Sequence, residues 1–375
     1  MARDFLYRHV IPVARRLPAS VQRQLRRLWR ATRPRPDGPA VPIPDGDSAY
    51  RARINAELAI YSEQTEVHDL PAIYHYWSNR YLRPKFESFG FSNPDQFFAG
   101  YLERASADAS GPARFVSIGA GNCDTEVRVA RLLVDRGIGN FVIECLELNP
   151  RMLERGRSLA REQGVQALIV PLEGDFNRWT PQHRYDAVIA NQSLHHVSNL
   201  ESLFEAVRTS LTPSGRFIIS DMIGRNGHQR WPEALAVVQE FWSELPAAYR
   251  YNRQLRRQET TFLDWDCSQE GFEGIRAEDI LPMLIARFKF EFFLGFANVI
   301  DPFIDRSFGH HFDPESPWDC AFIDRVHARD ETELLAGHVT PTHMIAVVRN
   351  EHVAPMLHWA QLTPEFCVRQ PTLTP

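Results

Sequence analysis

The sequence predicts an α/β protein built on a doubly wound, mostly parallel sheet. Between residues 113 and about 223, short apolar segments alternate with helical ones; the strand-like segments are "RFVSI", "FVIECLEL", "ALIVPL", "YDAVIAN" and "GRFIISDMI". Nearly continuous apolar strands are typical of a parallel sheet that helices cover on both faces. Right-handed crossovers then leave few topologies. After the first strand, the stretch "FVSIGAGNCDTEV" places two glycines at i and i+2 before a helix, which is a turn that lets a nucleotide-like ligand lie against the backbone.

The cysteines and the hydropathy exclude several classes of protein. The 375 residues contain five scattered cysteines with no C-x-x-C pair, which argues against a disulfide framework and a cysteine-based zinc site. This pattern favours a reducing compartment, so we expect a cytoplasmic protein. No apolar run approaches the roughly 18–20 residues that span a bilayer, and the N-terminus lacks the apolar core of a secretory signal.

The charge is unevenly distributed. Residues 1–36 contain ten Arg and one Asp, a net charge of +9, so the remainder of a chain whose total is −5 carries −14. An acidic body with a basic arm is not typical of a nucleic-acid enzyme, so no nucleic-acid partner is expected. Apolar residues recur at helical spacing from Leu17 to Trp29 within the arm. The pattern fits a helix on an anionic membrane surface or on a partner, a solvated arm, a helix packed on its own domain, or a mitochondrial-type presequence.

Composition and segment type suggest seven regions. We expect a basic amphipathic arm (1–36), a Pro- and Gly-rich linker (37–48), a helical N-terminal lid (49–112), a ligand-binding core (113–224), a cap insertion (225–275), the end of the core sheet with a second insertion (276–350) and a C-terminal tail without clear pattern (351–375). The aromatic-rich part of the lid region would pack on the core, cover a ligand, or do both.

The charges around the glycine turn decide which nucleotide-like ligand fits it. A dinucleotide loop reads G-x-G-x-x-G, but the third glycine position here is Asp124. Asp124 and Glu126 lie in the first turn of the helix, where they would repel a pyrophosphate. S-adenosylmethionine carries a sulfonium and an ammonium, which carboxylates attract. The sequence therefore favours the methyl donor over NAD(P).

Polar residues follow the next three strands in the same way. "ECLELNP" ends the second strand with Glu147, whose carboxylate can accept both ribose hydroxyls. "LEGDFNRW" follows the third strand, where Asp175 could accept the adenine amino group and Phe176 could back the ring. "ANQSLHHV" follows the fourth strand. Because ligands of open parallel sheets lie at the carboxyl ends of the strands, these features should meet at one site.

With these motifs, the chain resembles the class I S-adenosylmethionine-dependent methyltransferases. The resemblance covers 113–223 strongly and 276–296 with 341–349 more weakly, and it implies a seven-stranded Rossmann-like sheet whose last pair is antiparallel. It also implies a set of cofactor-binding residues: Gly119, Ala120, Gly121, Asn122, Asp124, Glu147, Leu148, Asp175, Phe176, Asn191 and Gln192. The family usually has an acid two residues before the first glycine, where this chain has Ser117. The family also usually has a third small residue in the turn, where this chain has Cys123. We therefore expect the amino group of the methyl donor to be contacted by Asp124 or by the helical layer of residues 49–105.

The resemblance implies a small-molecule methyltransferase, with O- or N-methylation expected. His195 and His196 lie where the acceptor should arrive, so one of them is the candidate general base; both could instead only hydrogen-bond the loop. The two insertions should supply the acceptor pocket. His310, His311 and Asp313 cluster in the second one, but adjacent histidines seldom converge on one ion, so no metal site is predicted. The alternatives are an NAD(P)-dependent oxidoreductase and a non-catalytic member of the fold tethered to a membrane or a synthase complex.

Overall fold

The computed structural model describes residues 50–55, 58, 70–269 and 271–369, so the predicted arm and linker lie outside the described residues. The strands are β1 (Ala113–Ile118), β2 (Phe141–Glu147), β3 (Ile169–Glu173), β4 (Tyr185–Asn191), β5 (Leu211–Met222), β6 (Tyr251–Asn252), β7 (Arg257–Gln258), β8 (Lys289–Phe296), β9 (His343–Arg349) and β10 (Met356–Leu357). Eight of them form one sheet in the order β10-β8-β9-β5-β4-β1-β2-β3, and β6 pairs with β7 separately.

The main sheet is mostly parallel, as predicted. β1 pairs in parallel with β2 and β4, and β2–β3 and β4–β5 extend the parallel part. β9 runs antiparallel to both β5 and β8, which confirms the antiparallel last pair. The expected count of seven strands is wrong by one, because β10 adds to the outer edge of β8. A strand of two residues is too short to show any alternation in the sequence.

Helices cover both faces of the sheet. They are α1 (Ala72–Trp77), α2 (Arg83–Glu87), α3 (Pro94–Asp108), α4 (Asp124–Asp135), α5 (Pro150–Glu162), α6 (Leu200–Ser210), α7 (Pro232–Glu244), α8 (Ala277–Arg287), α9 (Asp301–Ile304), α10 (Pro317–Ala336) and α11 (Pro364–Cys367), with a π-helical turn at Ser78–Leu82. Residues 50–55 are also helical. Asn93 and Asn149 cap α3 and α5 by accepting a backbone N–H, each followed by Pro at the first helical position.

Successive strand residues serve two separate cores. In β1, Phe115 belongs to the apolar core that also contains residues of α3, α4 and α5, whereas Val116 and Ile118 belong to the core with α6 and α8. All three side chains are fully buried. Burial on both faces explains why the sequence shows continuous apolar strands instead of alternating ones. This packing fixes the strand ends at which the site is built.

The aromatic segment that follows the linker is a packed layer from α1 onward. Trp77, Phe86 and Phe91 are buried. The ring of Phe91 meets Phe292 of β8 edge-on at a centroid distance of 5.9 Å, and the ring of Phe97 lies tilted against it at 5.7 Å. Aromatic pairs at such distances stabilise the layer beyond simple burial. The residues 72–108 therefore act as core structure, while the short helix at 50–55 lies elsewhere, over the cleft described below.

The two insertions pack on each other. The segment 225–275 contributes α7 and the small β6–β7 sheet, and the connection between β8 and β9 contributes α9 and α10. The ring of Trp242 in α7 meets Phe303 of α9 at 6.4 Å and Phe308 at 4.8 Å, between ring centroids. The insertions thus form one body at the carboxyl end of the sheet.

Candidate active site

A cleft opens at the carboxyl ends of the parallel strands. Its empty volume, mouth included, is about 1100 Å³, which accommodates a nucleoside-sized ligand. The residues that line it include every one of the predicted cofactor-binding set: Gly119, Ala120, Gly121, Asn122, Asp124, Glu147, Leu148, Asp175, Phe176, Asn191 and Gln192. The parallel sheet brings together segments that are up to 73 positions apart, as the strand-end pattern predicts.

The glycine turn is held against the second strand. The backbone N–H groups of Gly119 and Ala120 both donate to the carbonyl of Leu146, at 2.9 and 3.1 Å. Gly119 has φ +65° and Gly121 has φ +55°, values that glycine adopts without strain. A β-carbon on Gly119 would stand 2.7 Å from Cβ of Ser193. The turn therefore needs glycine for its shape and for the close approach of the loop after β4.

Glu147 is fixed in place by backbone donors. Its Oε2 accepts the N–H of Gly121 at 3.0 Å, and its Oε1 accepts the N–H of Asn149 at 2.8 Å. These two bonds fix the orientation of the carboxyl group at the end of β2, where it lines the cleft.

Glu126 also lines the cleft, although it is absent from the predicted set of cofactor-binding residues. It is buried, its Oε1 accepts the hydroxyl of Ser117 at 2.6 Å, and its Oε2 has no hydrogen-bond partner among the described residues. Burial raises the pKa of Glu126 to about 7, against the lowering effect of the Ser117 hydrogen bond. Glu126 therefore lines the cleft with one carboxyl oxygen lacking a hydrogen-bond partner among the described residues, which suits it to accept from a cationic donor.

The charge of the cleft is one-sided. Four carboxylates line it, those of Asp124, Glu126, Glu147 and Asp175, and the described lining residues include no Lys or Arg. Carboxylates gathered in a partly enclosed cleft attract cations and repel phosphates. The arrangement suits a sulfonium or ammonium compound and opposes a pyrophosphate.

A short helix covers one side of the cleft. Tyr50, Ile54 and Leu58, spaced four residues apart, all line the cavity, as helical periodicity requires of one face. The hydroxyl of Tyr50 donates to Oδ2 of Asp175 at 2.7 Å, and its ring meets Phe272 edge-on with centroids 5.7 Å apart. The first helix of the predicted lid region and the end of the cap segment therefore meet over the cleft.

The two histidines of "LHH" have different environments. His196 lines the cleft, whereas His195 is 4% exposed and lies behind it. Nδ1 of His195 is 2.7 Å from Oδ1 of Asp221, and its Nε2 is 3.4 Å from Oε1 of Glu273. Burial lowers the pKa of His195, but the charge and hydrogen bond of Asp221, together with Glu273, outweigh it and raise the pKa to about 10.

Three polar residues of the insertions, the segments expected to supply the acceptor pocket, have partners away from the cleft. Arg230 pairs with Asp301 at 3.2 Å, the hydroxyl of Tyr249 donates to Asp319 at 2.9 Å, and Nε2 of His311 contacts the carbonyl of Tyr251 at 2.7 Å. None of these is among the described residues that line the cleft. The cap reaches the cleft instead through Phe272, and His228 and Glu273 stand beside His195. Their positions in the sequence show no spacing that could have revealed this.

Comparison with known proteins supports the sequence interpretation. Residues 118–219 match the family model described as a methyltransferase domain. No curated protein matches the chain significantly. Among the described helices, none is both long and apolar enough to cross a membrane.

Three solved structures similar to this chain are all of methyltransferases. Geranyl diphosphate C-methyltransferase from Streptomyces coelicolor A3(2) is 12% identical with a TM-score of 0.38, over 68% of this chain and 75% of that one. An S-adenosylmethionine-dependent methyltransferase from Clostridium acetobutylicum ATCC 824 is 14% identical with a TM-score of 0.29, over 41% and 61%. The glycopeptide N-methyltransferase MtfA is 20% identical with a TM-score of 0.27, over 36% and 57%.

Proposed function

We propose that the chain, whose residues 118–219 match a methyltransferase domain, is an S-adenosylmethionine-dependent methyltransferase of class I that transfers the methyl group to oxygen or nitrogen of a small-molecule acceptor. The observation that carries the cofactor part is the cleft with four carboxylates and no Lys or Arg among its described lining residues. The proposal of a small-molecule acceptor is supported by the short helix that begins at Tyr50 and by the cap segment. These two elements meet over the cleft and narrow the entrance for a large substrate.

We assign the cofactor contacts by charge and position. Glu126 accepts the ammonium of the methionine part through Oε2, in place of the acid that the family usually has at the position of Ser117. Glu147 accepts the ribose hydroxyls, and Asp175 with Phe176 frames the adenine. The turn Gly119–Asn122, together with Asn191 and Gln192, lies along the methionine part. The acid missing from the first strand is thus replaced from the following helix.

The reaction needs alignment and a place for one proton. The acceptor atom attacks the methyl carbon, the carbon–sulfur bond breaks, and the sulfur of the product S-adenosylhomocysteine becomes neutral. Positioning can supply up to roughly 7–11 kcal/mol of the barrier reduction in favourable cases. An acceptor that carries a proton releases it to His196, because His196 lines the cleft and His195 does not. His195 holds the loop through Asp221 and is not assigned as the base.

Calorimetric titration of the purified chain tests the cofactor assignment. We expect saturable binding of S-adenosylmethionine and S-adenosylhomocysteine, and no binding of NAD(P) at the same concentration. Incubation with isotope-labelled donor and pools of hydroxyl- or amine-bearing metabolites then tests the acceptor class. Labelled small-molecule product supports the proposal. Donor binding without turnover on any pool favours the non-catalytic alternative, and NAD(P) binding favours the oxidoreductase.

The basic arm stays a separate prediction, because residues 1–36 lie outside the described residues. Its charge of +9 favours contact with an anionic membrane surface or an acidic partner. Co-sedimentation with vesicles of phosphatidylserine and phosphatidylcholine, with the full chain beside one that lacks residues 1–36, tests the membrane contact. Equal sedimentation of both chains would contradict it.

A further inference from the structure

Three potential metal ligands converge beside the cleft. His195 lies on the loop after β4, and His228 and Glu273 come from the two ends of the cap segment. One ligand atom from each lies within 4.8 Å of the others. Oε1 of Glu273 is 2.7 Å from Nε2 of His228 and 3.4 Å from Nε2 of His195. Two imidazoles and one carboxylate form a ligand set used by zinc and by other divalent transition metals.

The environment of His195 fixes which of its nitrogens faces the other two ligands. Asp221 is completely buried, and its Oδ2 accepts the backbone N–H groups of Ser193 and Leu194 at 2.9 and 2.7 Å. Its Oδ1 is 2.7 Å from Nδ1 of His195. The contact with Asp221 holds the imidazole through Nδ1, and it leaves Nε2 directed at Glu273. This carboxylate–histidine pair is the usual outer support of a metal-bound imidazole.

The backbone at His228 is also held in an uncommon conformation. His228 has φ +55°, in the left-handed region that residues other than glycine rarely adopt. The N–H of Gly227 donates to the carbonyl of Gly274 at 2.9 Å, which ties the residue before His228 to the residue after Glu273. A β-carbon on Gly274 would lie 3.2 Å from the His228 ring. Local strain maintained by its surroundings is a feature of functional sites, and here it sets both ligands side by side.

We propose that Nε2 of His195, Nε2 of His228 and the carboxylate of Glu273 bind one divalent transition metal ion of the zinc class. The ion joins the cap segment to the core loop immediately beside His196, whose Nε2 is 3.5 Å from Oε2 of Glu273. Metal binding therefore strengthens the attachment of the cap segment to the loop after β4, whichever acceptor is methylated.

Cobalt titration of the full chain is the direct test. After treatment with a chelator and removal of any affinity tag, we expect Co²⁺ to give visible d–d absorption that saturates at one ion per chain and is displaced by Zn²⁺. Calorimetry with Zn²⁺ gives the affinity. Absence of a saturable signal, or a Zn²⁺ affinity no tighter than that of the Glu273→Gln variant described below, overturns the proposal.

Variants separate a metal site from an ion pair. His228→Asn tolerates the left-handed backbone and Glu273→Gln keeps the shape, so both should fold while losing the cobalt signal and at least about 100-fold in Zn²⁺ affinity. Asp221→Asn should lower that affinity about 10- to 100-fold, because it removes the charged partner of Nδ1 of His195. His338→Gln is the matched control, because His338 pairs with Glu333 at 2.6 Å on the surface away from the cleft. If the site variants lower thermal stability but leave Co²⁺ and Zn²⁺ binding as in the control, the cluster is an ion pair only and the proposal is wrong.

Discussion

The hydroxyl of Ser117 donates a hydrogen bond of 2.6 Å to Oε1 of Glu126, which joins the end of β1 to the first turn of α4. Glu126 lines the cleft, and its Oε2 has no hydrogen-bond partner among the described residues. The methyltransferase family that the sequence resembles usually has an acid at the position of Ser117. In this chain a carboxyl group reaches the cleft from the following helix, and the Ser117 hydroxyl holds one of its oxygens.

The first prediction concerns the charge of Glu126. We expect Glu126→Gln to weaken S-adenosylmethionine binding about 10- to 100-fold, since a hydrogen bond to a charged partner contributes about 1.5–3 kcal/mol. Calorimetry measures this, with Glu162→Gln on the exposed end of α5 as the control. The exchanged pair Ser117→Asp with Glu126→Ser should recover part of the affinity. Equal affinity of Glu126→Gln and the control would remove Glu126 from the site.

The second prediction is a pH dependence set by the same carboxyl. Its ordinary pKa of 4.5 is raised to about 7 in the folded chain without cofactor. The folded state therefore binds more protons than the unfolded state between pH 4.5 and 7. The stability of the cofactor-free chain should fall across that window as pH rises, and the fall should end above pH 7.

Cofactor affinity should change in the opposite direction. A cationic ligand favours the ionised carboxylate, so affinity should rise up to about tenfold per pH unit between pH 5.5 and 7 and then level off. Thermal unfolding and calorimetry over this range measure both trends. Glu126→Gln should flatten both curves, and a wild-type affinity that does not vary with pH would contradict the assignment.

The third prediction concerns the covering helix. Tyr50→Phe removes the 2.7 Å hydrogen bond to Asp175 but keeps the ring that meets Phe272. We expect a loss of cofactor affinity of about two- to tenfold, mainly through faster dissociation, because one such bond contributes about 1 kcal/mol. Stopped-flow dissociation of S-adenosylhomocysteine measures it. Tyr251→Phe, on an exposed ring, is the control, and equal rates for both variants would show that the helix does not hold the cofactor.

The strand-end residues could be predicted from sequence because their placement follows from topology. Once four apolar strands are recognised as parallel, Gly119, Glu147, Asp175 and Asn191 must meet at one edge of the sheet. The prediction needs no knowledge of side-chain packing. The extra strand β10 was missed because two residues carry no periodic signal.

The remaining parts of the site arise from contacts between distant segments. Tyr50 lies 125 positions from its partner Asp175, and Glu273 lies 78 positions from His195. No local pattern encodes such pairs, because the cap is placed by packing of its rings on α9 and the following turn. Glu126 was visible in the sequence, but an acid in the first turn of a helix is already explained by the helix dipole, so its burial could not be deduced.

The fourth prediction separates the two histidines of the loop. His196→Gln should lower kcat about 10²- to 10⁴-fold with an acceptor that carries a proton, with cofactor affinity nearly unchanged, because the side chain would act on the acceptor only. An acceptor that needs no proton removal should lose less. If kcat falls less than about tenfold on every acceptor, His196 only supports the loop. His183→Gln, on the half-exposed side chain near Glu144, is the control.

The fifth prediction concerns the turn itself. Gly119→Ala places a β-carbon 2.7 Å from Cβ of Ser193 on a residue with φ +65°. The left-handed backbone alone costs about 1–2 kcal/mol for alanine, and relief of the clash moves the loop after β4 that carries Gln192. We expect unfolding in urea at lower concentration and cofactor affinity reduced by more than tenfold. Gly111→Ala has open space around its β-carbon and should change neither. If Gly119→Ala matches Gly111→Ala in both measurements, the loop after β4 accommodates the added β-carbon. The close approach of Gly119 and Ser193 would then not determine the shape of the cofactor site.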